Sequence, residues 1–439
     1  MNTNAETWGT LAPWIGLALA LLCLFIALRK GAQGRLIDDT PTSKTSGVFI
    51  GMVELKGTAE VETPLAGFLS ERPCVHYCWT VEEHWSRTVV ESYTDAQGHS
   101  GTRTRTETGW TKVGGETAQI PFYLRDDAGV LRVQPDRAKI EPATVFNITC
   151  GPNNSLYYQK GPPGAVADST FSRRFVEVAI PLHAPVFVFG HAREREDMVA
   201  PEIAYDKQTS LFLISTRSEA QVSSGYHWAF VGLGLLGLVL AVAGTIVHNS
   251  MLPMPDDTVP FLAGGSYLVA WALGWIWMAY NSLVNLRERT RQAWANVDVQ
   301  LKRRCELIPN LVSIVVGLRD YERNVQVEVT RLRAEMNATA PGEAGAENGA
   351  VSTTVIAIFE RYPELKTNGA FNKLMDDLSD TEQRIALARG YFNDIATFYN
   401  TRLEKVPDRF IAALGAMKPQ SLMAANDFAR APIVVKLAG

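Results

Sequence analysis

"YNSLVNLRERTRQAWANVDVQLKRRCELIPNLV", Tyr280–Val312, decides how this chain is built. It continues directly from an apolar run and sets Arg287, Arg289 and Arg291 just beyond that run, with Lys302, Arg303 and Arg304 further along. Its apolar residues Leu283, Trp294, Val297, Leu301, Ile308 and Leu311 fall on two of the seven heptad positions. The series continues through Val315, Leu318, Val325, Val329, Leu332 and Met336. Spacings of three and four residues put these side chains on one helix seam. Arg304 and Glu322 are charged residues on that seam. An unbroken helix from Asn281 to Asn337 would be about 85 Å long at ~1.5 Å per residue, and Pro309 should kink or loosen it.

Working back from this helix, three runs are longer and more apolar than a globular core needs. Leu11–Leu28, Trp228–Val247 and Phe261–Tyr280 carry no charge, and each is close to the ~20 residues that cross a bilayer. Tyr and Trp at the ends of the third run resemble an interfacial belt. Only Glu6 precedes the first run, whereas Arg29, Lys30 and Arg35 follow it. That is the reverse of a cleaved signal peptide's charge order. The positive-inside rule therefore places the N-terminus outside and the residues after the first span inside. The loop after the second span carries Asp256 and Asp257 without Lys or Arg, as expected outside. Arg287, Arg289 and Arg291 return the chain to the inside.

Working forward, a second heptad series runs Phe371, Leu374, Leu378, Ile385, Ala388, Phe392, Ile395, Tyr399 and Val406. Two such helices are expected to pack antiparallel, like a coiled coil. Between them "TAPGEAGAENGA" reads as a breaker, and "VSTTVIAIFERY" as a shorter helix ended by Pro363. No histidine follows His248, so histidine-based catalysis is excluded from this half. Cys305 reads as packing or surface. Lys302, Arg303 and Arg304 lie about 30 Å along the helix from the membrane at ~1.5 Å per residue. That is several Debye lengths of about 8 Å, too far for headgroups to explain them. They are expected, with Leu301, Ile308 and Leu311, to form an assembly contact, their charges meeting an acidic face such as "MDDLSDTE" or a neighbouring subunit.

The segment from 36 to 226 reads as a small, mainly antiparallel β domain. In "CVHYCWTVEEHW", Cys74–Trp85, the odd positions Val75, Tyr77, Trp79, Val81 and Trp85 form an apolar face broken by Glu83. The even positions His76, Cys78, Thr80, Glu82 and His84 face the other way. Further strands are expected at Val48–Lys56, Ile120–Arg125, Val130–Gln134, Phe175–Ile180, Val186–Gly190 and Leu211–Thr216. "RDDAGVL" reads as a hairpin turn with Gly129 at positive φ, and "ESYTDAQGHSGTRTRTETGW" as a long exposed hairpin. His76 and His84 are about 26 Å apart at ~3.3 Å per residue, so one metal cannot join them. A metal site at Glu82 and His84 needs help from elsewhere, and a polar outer sheet face is the plainer reading.

"RPCVHYCWTVEEHW", "FYLRDDAGVLRVQP" and "SLFLISTR" ahead of a span resemble the GIDE or "beside a membrane" domain of organellar E3 ubiquitin ligases. The resemblance covers about residues 47 to 230. It implies a membrane-proximal β module. Ligation in that family resides in a C-terminal RING, whose clustered zinc ligands have no counterpart beyond Val247, where only His248 and Cys305 occur. The opening stretch, "RYPELKTNGAFNKLMDDLSDTEQRIALARGYFNDIATFYNTRLEKVP" and "MKPQSLM…ARAPIVVKL" resemble the bacterial LemA family over about residues 275 to 437. This implies a membrane-tethered helical bundle without established catalytic residues. One branch of the family takes part in building magnetosome membranes. LemA proteins usually carry one N-terminal span, so the two extra spans and the β domain are departures.

The resulting plan is an external N-terminus (1–10), spans at 11–28, 228–247 and 261–280, and a cytoplasmic β domain at 36–226. A short external loop (248–260) and a cytoplasmic bundle (281–439) complete it. With 439 residues, a net charge of −4 and five scattered cysteines, the chain gives no sign of nucleic-acid binding, a disulfide framework or a CxxC pair. No cofactor is expected. The first functional reading is a non-enzymatic, oligomeric scaffold of the bacterial inner membrane that contacts lipids and its own copies. The second is an adaptor whose β domain docks a membrane client such as a protease or transporter. The third is a metal-dependent or ligase-like enzyme.

Overall fold

The computed structural model describes residues 3–94, 100–195, 200–207, 211–251, 256, 258–318 and 369–423. Its contacts divide the chain into Thr42–Val222 and a second unit made of Met1–Pro41 with Ser223–Gly439.

Thr42–Val222 is built on strands β1 (Thr42–Ser43), β2 (Gly51–Glu60), β3 (Leu65–Ala66), β4 (Pro73–Thr94), β5 (Ser100–Gln119), β6 (Phe122–Arg125) and β7 (Val130–Val133). These continue as β8 (Lys139–Glu141), β9 (Ala143–Cys150), β10 (Ser169–Pro181), β11 (Pro185–Glu194), β12 (Pro201–Ala204) and β13 (Leu213–Ser215). One sheet has the order β1-β2-β6-β7-β12-β11-β13-β8, and β2 also pairs with β11. The strands β2, β6, β7, β12 and β11 therefore return on themselves as a small closed ring. Alternate residues fill it: Val53, Leu55 and Ala59 of β2, Phe122 and Leu124 of β6, Leu131 and Val133 of β7, and Val186 and Val188 of β11 are all buried. The period of two in the sequence is what aims them at one core. Pairing is mainly antiparallel, with short parallel contacts between β1 and β2, β7 and β12, and β8 and β13.

The second sheet has the order β3-β4-β10-β9 with β5 beside β4. β4 and β5 make the long exposed arm expected from the polar alternating stretch. Their register runs from His76↔Gln119 to Thr94↔Ser100, with a bulge between Val81 and Glu82. Two expectations for this region are corrected. His76 is 6% exposed rather than on an open polar face, because both faces of β4 are covered at that end. Gly129 has no positive φ. The turn is instead closed by Asp126, whose Oδ1 accepts the amides of Ala128 (2.8 Å) and Gly129 (2.9 Å).

Glu83, the residue that broke the apolar face, is fully buried opposite Arg173 of β10. Arg173 donates from Nε (3.1 Å) and Nη2 (3.0 Å) to Glu83 Oε2 and stacks 3.9 Å over the Tyr157 ring. Its remaining protons go to the carbonyls of Tyr157, Pro162 and Gly164. Such complete pairing is what makes a charge tolerable in a low-dielectric core. Here the ion pair replaces apolar packing as the cross-strand tie.

The other unit contains helices α1 (Thr3–Asp38), α2 (Glu219–Asn249, from its fifth residue onward), α3 (Thr258–Leu318), α4 (Gly369–Glu404) and α5 (Asp408–Leu414). Leu11–Asp38, Glu219–Asn249 and Thr258–Arg304 contain stretches long and apolar enough to cross a membrane, with only 6–22% of their most apolar windows buried. Trp228, Phe261, Leu262 and Trp277 stand 71–81% exposed, a surface that water would penalise. α1 and α2 approach backbone to backbone where Gly16 meets Gly244. A Cβ on Gly16 would lie 2.8 Å from the Leu240 carbonyl oxygen, so only glycine permits this crossing. Ala20, Leu24, Ala241 and Tyr267 then close the three-helix contact.

α3 runs past Pro309 to Leu318 without interruption; the rest of the expected rod, the breaker and the "VSTTVIAIFERY" helix lie outside the described residues. The buried seam of α3 is Leu283, Leu286, Thr290, Ala293, Val297 and Arg304. Trp294 and Leu301, expected on the seam, are only half-buried. Thr290 and Ala293 take the buried positions instead, and the Trp294 indole lies edge-on to Phe392 at 5.2 Å. On α4, Leu378, Ile385, Ala388, Phe392, Ile395 and Tyr399 are buried as expected. Val406 is not: it lies beyond the end of α4 and is 70% exposed.

Candidate functional site

The residues that join the apolar helices to the α3–α4 pair form a buried ionic cluster where α1 ends. Helical spacing puts Arg35 and Asp39 one turn apart, and the Asp39 amide donates to the Arg35 carbonyl at 2.9 Å. Arg35 makes a two-pronged bond to Asp408, Nη1 to Oδ2 and Nη2 to Oδ1, both 3.1 Å. Arg402 of α4 bridges the two carboxylates, donating to Asp39 Oδ1 at 2.8 Å and Asp408 Oδ2 at 3.1 Å. Ser282 of α3 donates to Asp39 Oδ2 at 2.7 Å, and Arg289 donates to the Asp39 carbonyl at 3.3 Å. The side chains of Asp39 and Asp408 are 5% and 3% exposed. Burial pushes the Asp39 carboxyl above its ordinary value, opposed by the neighbouring Arg402 charge and the Ser282 hydrogen bond.

Apolar packing backs this cluster. Ala279 and Leu283 of α3 meet Ile411 and Ala412 of α5, with Trp275 and Leu403 at the edge. Further along α3, Arg304 is 2% exposed, with Nη1 3.4 Å from Glu382 Oε1. As α3 advances from Leu283 through Trp294 to Arg304, its partners step back from Ile411 through Phe392 to Glu382.

Two asparagines also bind the chain after α5. Asn400 donates to the Gln420 carbonyl and accepts from its amide, both at 2.8 Å. Asn393 does the same with Met423, at 3.0 and 2.8 Å. Seven residues apart, the two amides share a helix face and stand in for a strand partner, fixing "MKPQSLM" along α4.

The structure disperses the residues expected to mark the membrane flank. Arg35 is committed to Asp408 and lies 5.4 Å from the Trp275 ring. Arg29 is exposed over Phe25 at 5.6 Å, and Lys30 lies 5.2 Å from the Tyr226 ring. Arg287 and Arg291 approach Glu288 at 3.5 and 2.8 Å, while Arg289 turns to Asp39. Of the expected assembly residues, Lys302 and Arg303 are exposed, Leu301 is half-buried and only Arg304 is enclosed. The side chains of Ile308 and Leu311 lie outside the described residues. Glu82 pairs with Arg174 and His84 bonds Thr170 at 2.8 Å. Among the described residues, no cluster of three or more His, Cys, Asp or Glu side chains could hold a metal.

The sequence reading missed Asp39, Arg402, Asp408, Asn393 and Asn400. The available signals were an Asp pair closing a span, Arg402 and Asp408 flanking the end of the second heptad series, and two Asn at heptad spacing.

Together, the apolar helices and the ionic cluster define a membrane-associated protein with a β-rich unit and a pair of long heptad-patterned helices. Two family models match: residues 293–437 match the LemA family, and residues 90–247, from within β4 into α2, match GIDE, described as E3 Ubiquitin ligase. The magnetosome protein MamQ 2 of Paramagnetospirillum magneticum is 24% identical over 171 residues, covering 32% of this chain and 63% of its own length. MamQ of Magnetospirillum gryphiswaldense is 25% identical over 171 residues with the same coverage. Protein LemA of Metamycoplasma hominis is 21% identical over 128 residues, 28% of this chain and 58% of its own length. The chain therefore spans less than two thirds of the relatives it matches.

Proposed function

We propose that this protein is a non-enzymatic scaffold of the bacterial cytoplasmic membrane. Three spans anchor an antiparallel helical bundle, N-terminus outside, β domain and bundle in the cytoplasm. The observation that carries the reading is the Arg35–Asp408–Arg402–Asp39 cluster, which locks the end of an apolar helix to the base of the α3–α4 pair. An anchor joined this way transmits force and position, as an organising protein requires, whereas catalysis would call for an accessible set of reactive groups. The heptad faces and exposed Lys302 and Arg303 support self-association. Similarity to magnetosome proteins and LemA supports a membrane setting. Cross-linking in native membranes, followed by blue-native separation after gentle solubilisation, tests it. Discrete oligomers are expected, and a strict monomer across detergents refutes the assembly.

A second reading is favoured by the β4–β5 arm, where Val90 and Tyr93 are 62% and 54% exposed. Apolar tips on a long hairpin suit docking of a membrane client. Deleting residues 88–106 and comparing the co-purified proteins distinguishes it: an unchanged set removes the adaptor role.

A further inference from the structure

A cavity of about 390 Å³ opens between α1 and α3 where the apolar runs give way to charge. Its lower wall is Phe25, Leu28 and Trp277, and its upper wall includes Arg29, Asp39 and Arg289. Phe25 and Trp277 are 58% and 73% exposed, so the apolar wall continues onto the open helix surface. Arg29 makes only its Phe25 ring contact among the described residues. Arg289 Nη2 is buried without a hydrogen-bond partner, a costly state that a bound oxygen would relieve. The Asp39 carboxylate is paired with Arg402, and Arg289 reaches Asp39 only at its main-chain carbonyl.

We propose that this cavity binds one anionic glycerophospholipid. Its phosphate sits between Arg29 and Arg289, and an acyl chain runs down Phe25, Leu28 and Trp277. A free phosphate would use the upper wall alone and leave the apolar wall wet; a neutral apolar molecule would leave the Arg289 proton unmet. Only an amphiphile with its charge at the apolar boundary satisfies both walls. The site rests on the membrane reading above, but not on scaffolding or oligomerisation.

The test is native mass spectrometry of the delipidated full chain, titrated with phosphatidylglycerol, phosphatidylcholine or inorganic phosphate. Flotation of the same protein with vesicles serves as a control. One phosphatidylglycerol should be retained in preference to phosphatidylcholine. Arg29→Gln, which removes no hydrogen bond or ion pair among the described residues, should weaken it about fivefold, the worth of one charge near a headgroup. Ala32→Trp, on the exposed wall, should abolish the preference while leaving the melting temperature unchanged. Equal retention of the two lipids, or full displacement of phosphatidylglycerol by inorganic phosphate, overturns the site while flotation persists. Loss of flotation overturns the membrane reading with it.

Discussion

Replacing Arg402 by Ala removes the one side chain among the described residues that bonds both the Asp39 and the Asp408 carboxylates. The two carboxylates do not lose equally. Asp408 keeps the two-pronged bond from Arg35, and Asp39 keeps only Ser282 and the Arg289 contact to its carbonyl. Stripping one partner from a buried pair costs about 3–5 kcal/mol. The surviving contacts and the 20% exposure of Arg402 bring the expectation down to about 2–3 kcal/mol. The sign with pH follows from Asp39. Its carboxyl is already raised by burial, so the folded state binds its proton more tightly than the unfolded chain does, and stability falls as pH rises through the folded pKa. Without Arg402 the larger of the two opposing charges is gone, leaving that of Arg35, and the rise is larger. The defect should therefore be greatest at neutral pH and shrink on acidification. Thermal unfolding followed by tryptophan fluorescence in nanodiscs, for Arg402→Ala, Asp39→Asn and the double variant, measures it. A coupling of about 1–3 kcal/mol is expected. Additive single effects with no dependence on pH would refute a cluster that acts as one unit.

Arg173→Met should destabilise the β unit by about 3–5 kcal/mol, because it strands a fully buried Glu83; Glu83→Leu in the same background should recover most of that loss in urea unfolding. Glu54 is fully buried, and burial pushes its carboxyl up to about 7, offset by Thr42 and Lys56 and reinforced by Glu219. The contribution of its neutral form is then lost as pH rises from about 4.5 to 7, up to about 3 kcal/mol. Glu54→Gln should flatten that slope in a pH series of melting temperatures. Arg304→Glu should loosen the α3–α4 pair, and adding Glu382→Arg should restore it, as read by limited proteolysis. Replacing both Asn393 and Asn400 by Ala should free the 417–423 segment, giving faster hydrogen exchange there than in α4.

Periodicity carried the sequence reading wherever one residue type meant one environment. The apolar runs, the strands expected at Val48–Lys56, Ile120–Arg125 and Val130–Gln134, and the second heptad series all fall in this class. It failed where side-chain size or a remote partner decided the outcome. The seam of α3 shifts to Leu286, Thr290 and Ala293, which are buried while Trp294 and Leu301 are only half-buried, and a count of large apolar residues at heptad spacing does not register the small and polar members. Glu83 looked like a flaw in a strand face because its partner, Arg173, is 90 residues away. Arg35 read as a topology charge for the same reason: its partner, Asp408, lies 373 residues on. Gly129 invited a positive φ that Asp126 makes unnecessary. The ionic cluster was illegible as a whole, since its members come from three separated segments with no shared period.

The most direct test of the account is the sidedness of the chain in living cells. Single cysteines at Asn4, Ser100, Ser250 and Asn348, in a background with all five native cysteines replaced, are labelled with a membrane-impermeant maleimide before and after permeabilisation. The account predicts labelling of positions 4 and 250 in intact spheroplasts, and of positions 100 and 348 only after the membrane is opened. Labelling of position 100 or 348 from outside, or all four positions on one side, would contradict it.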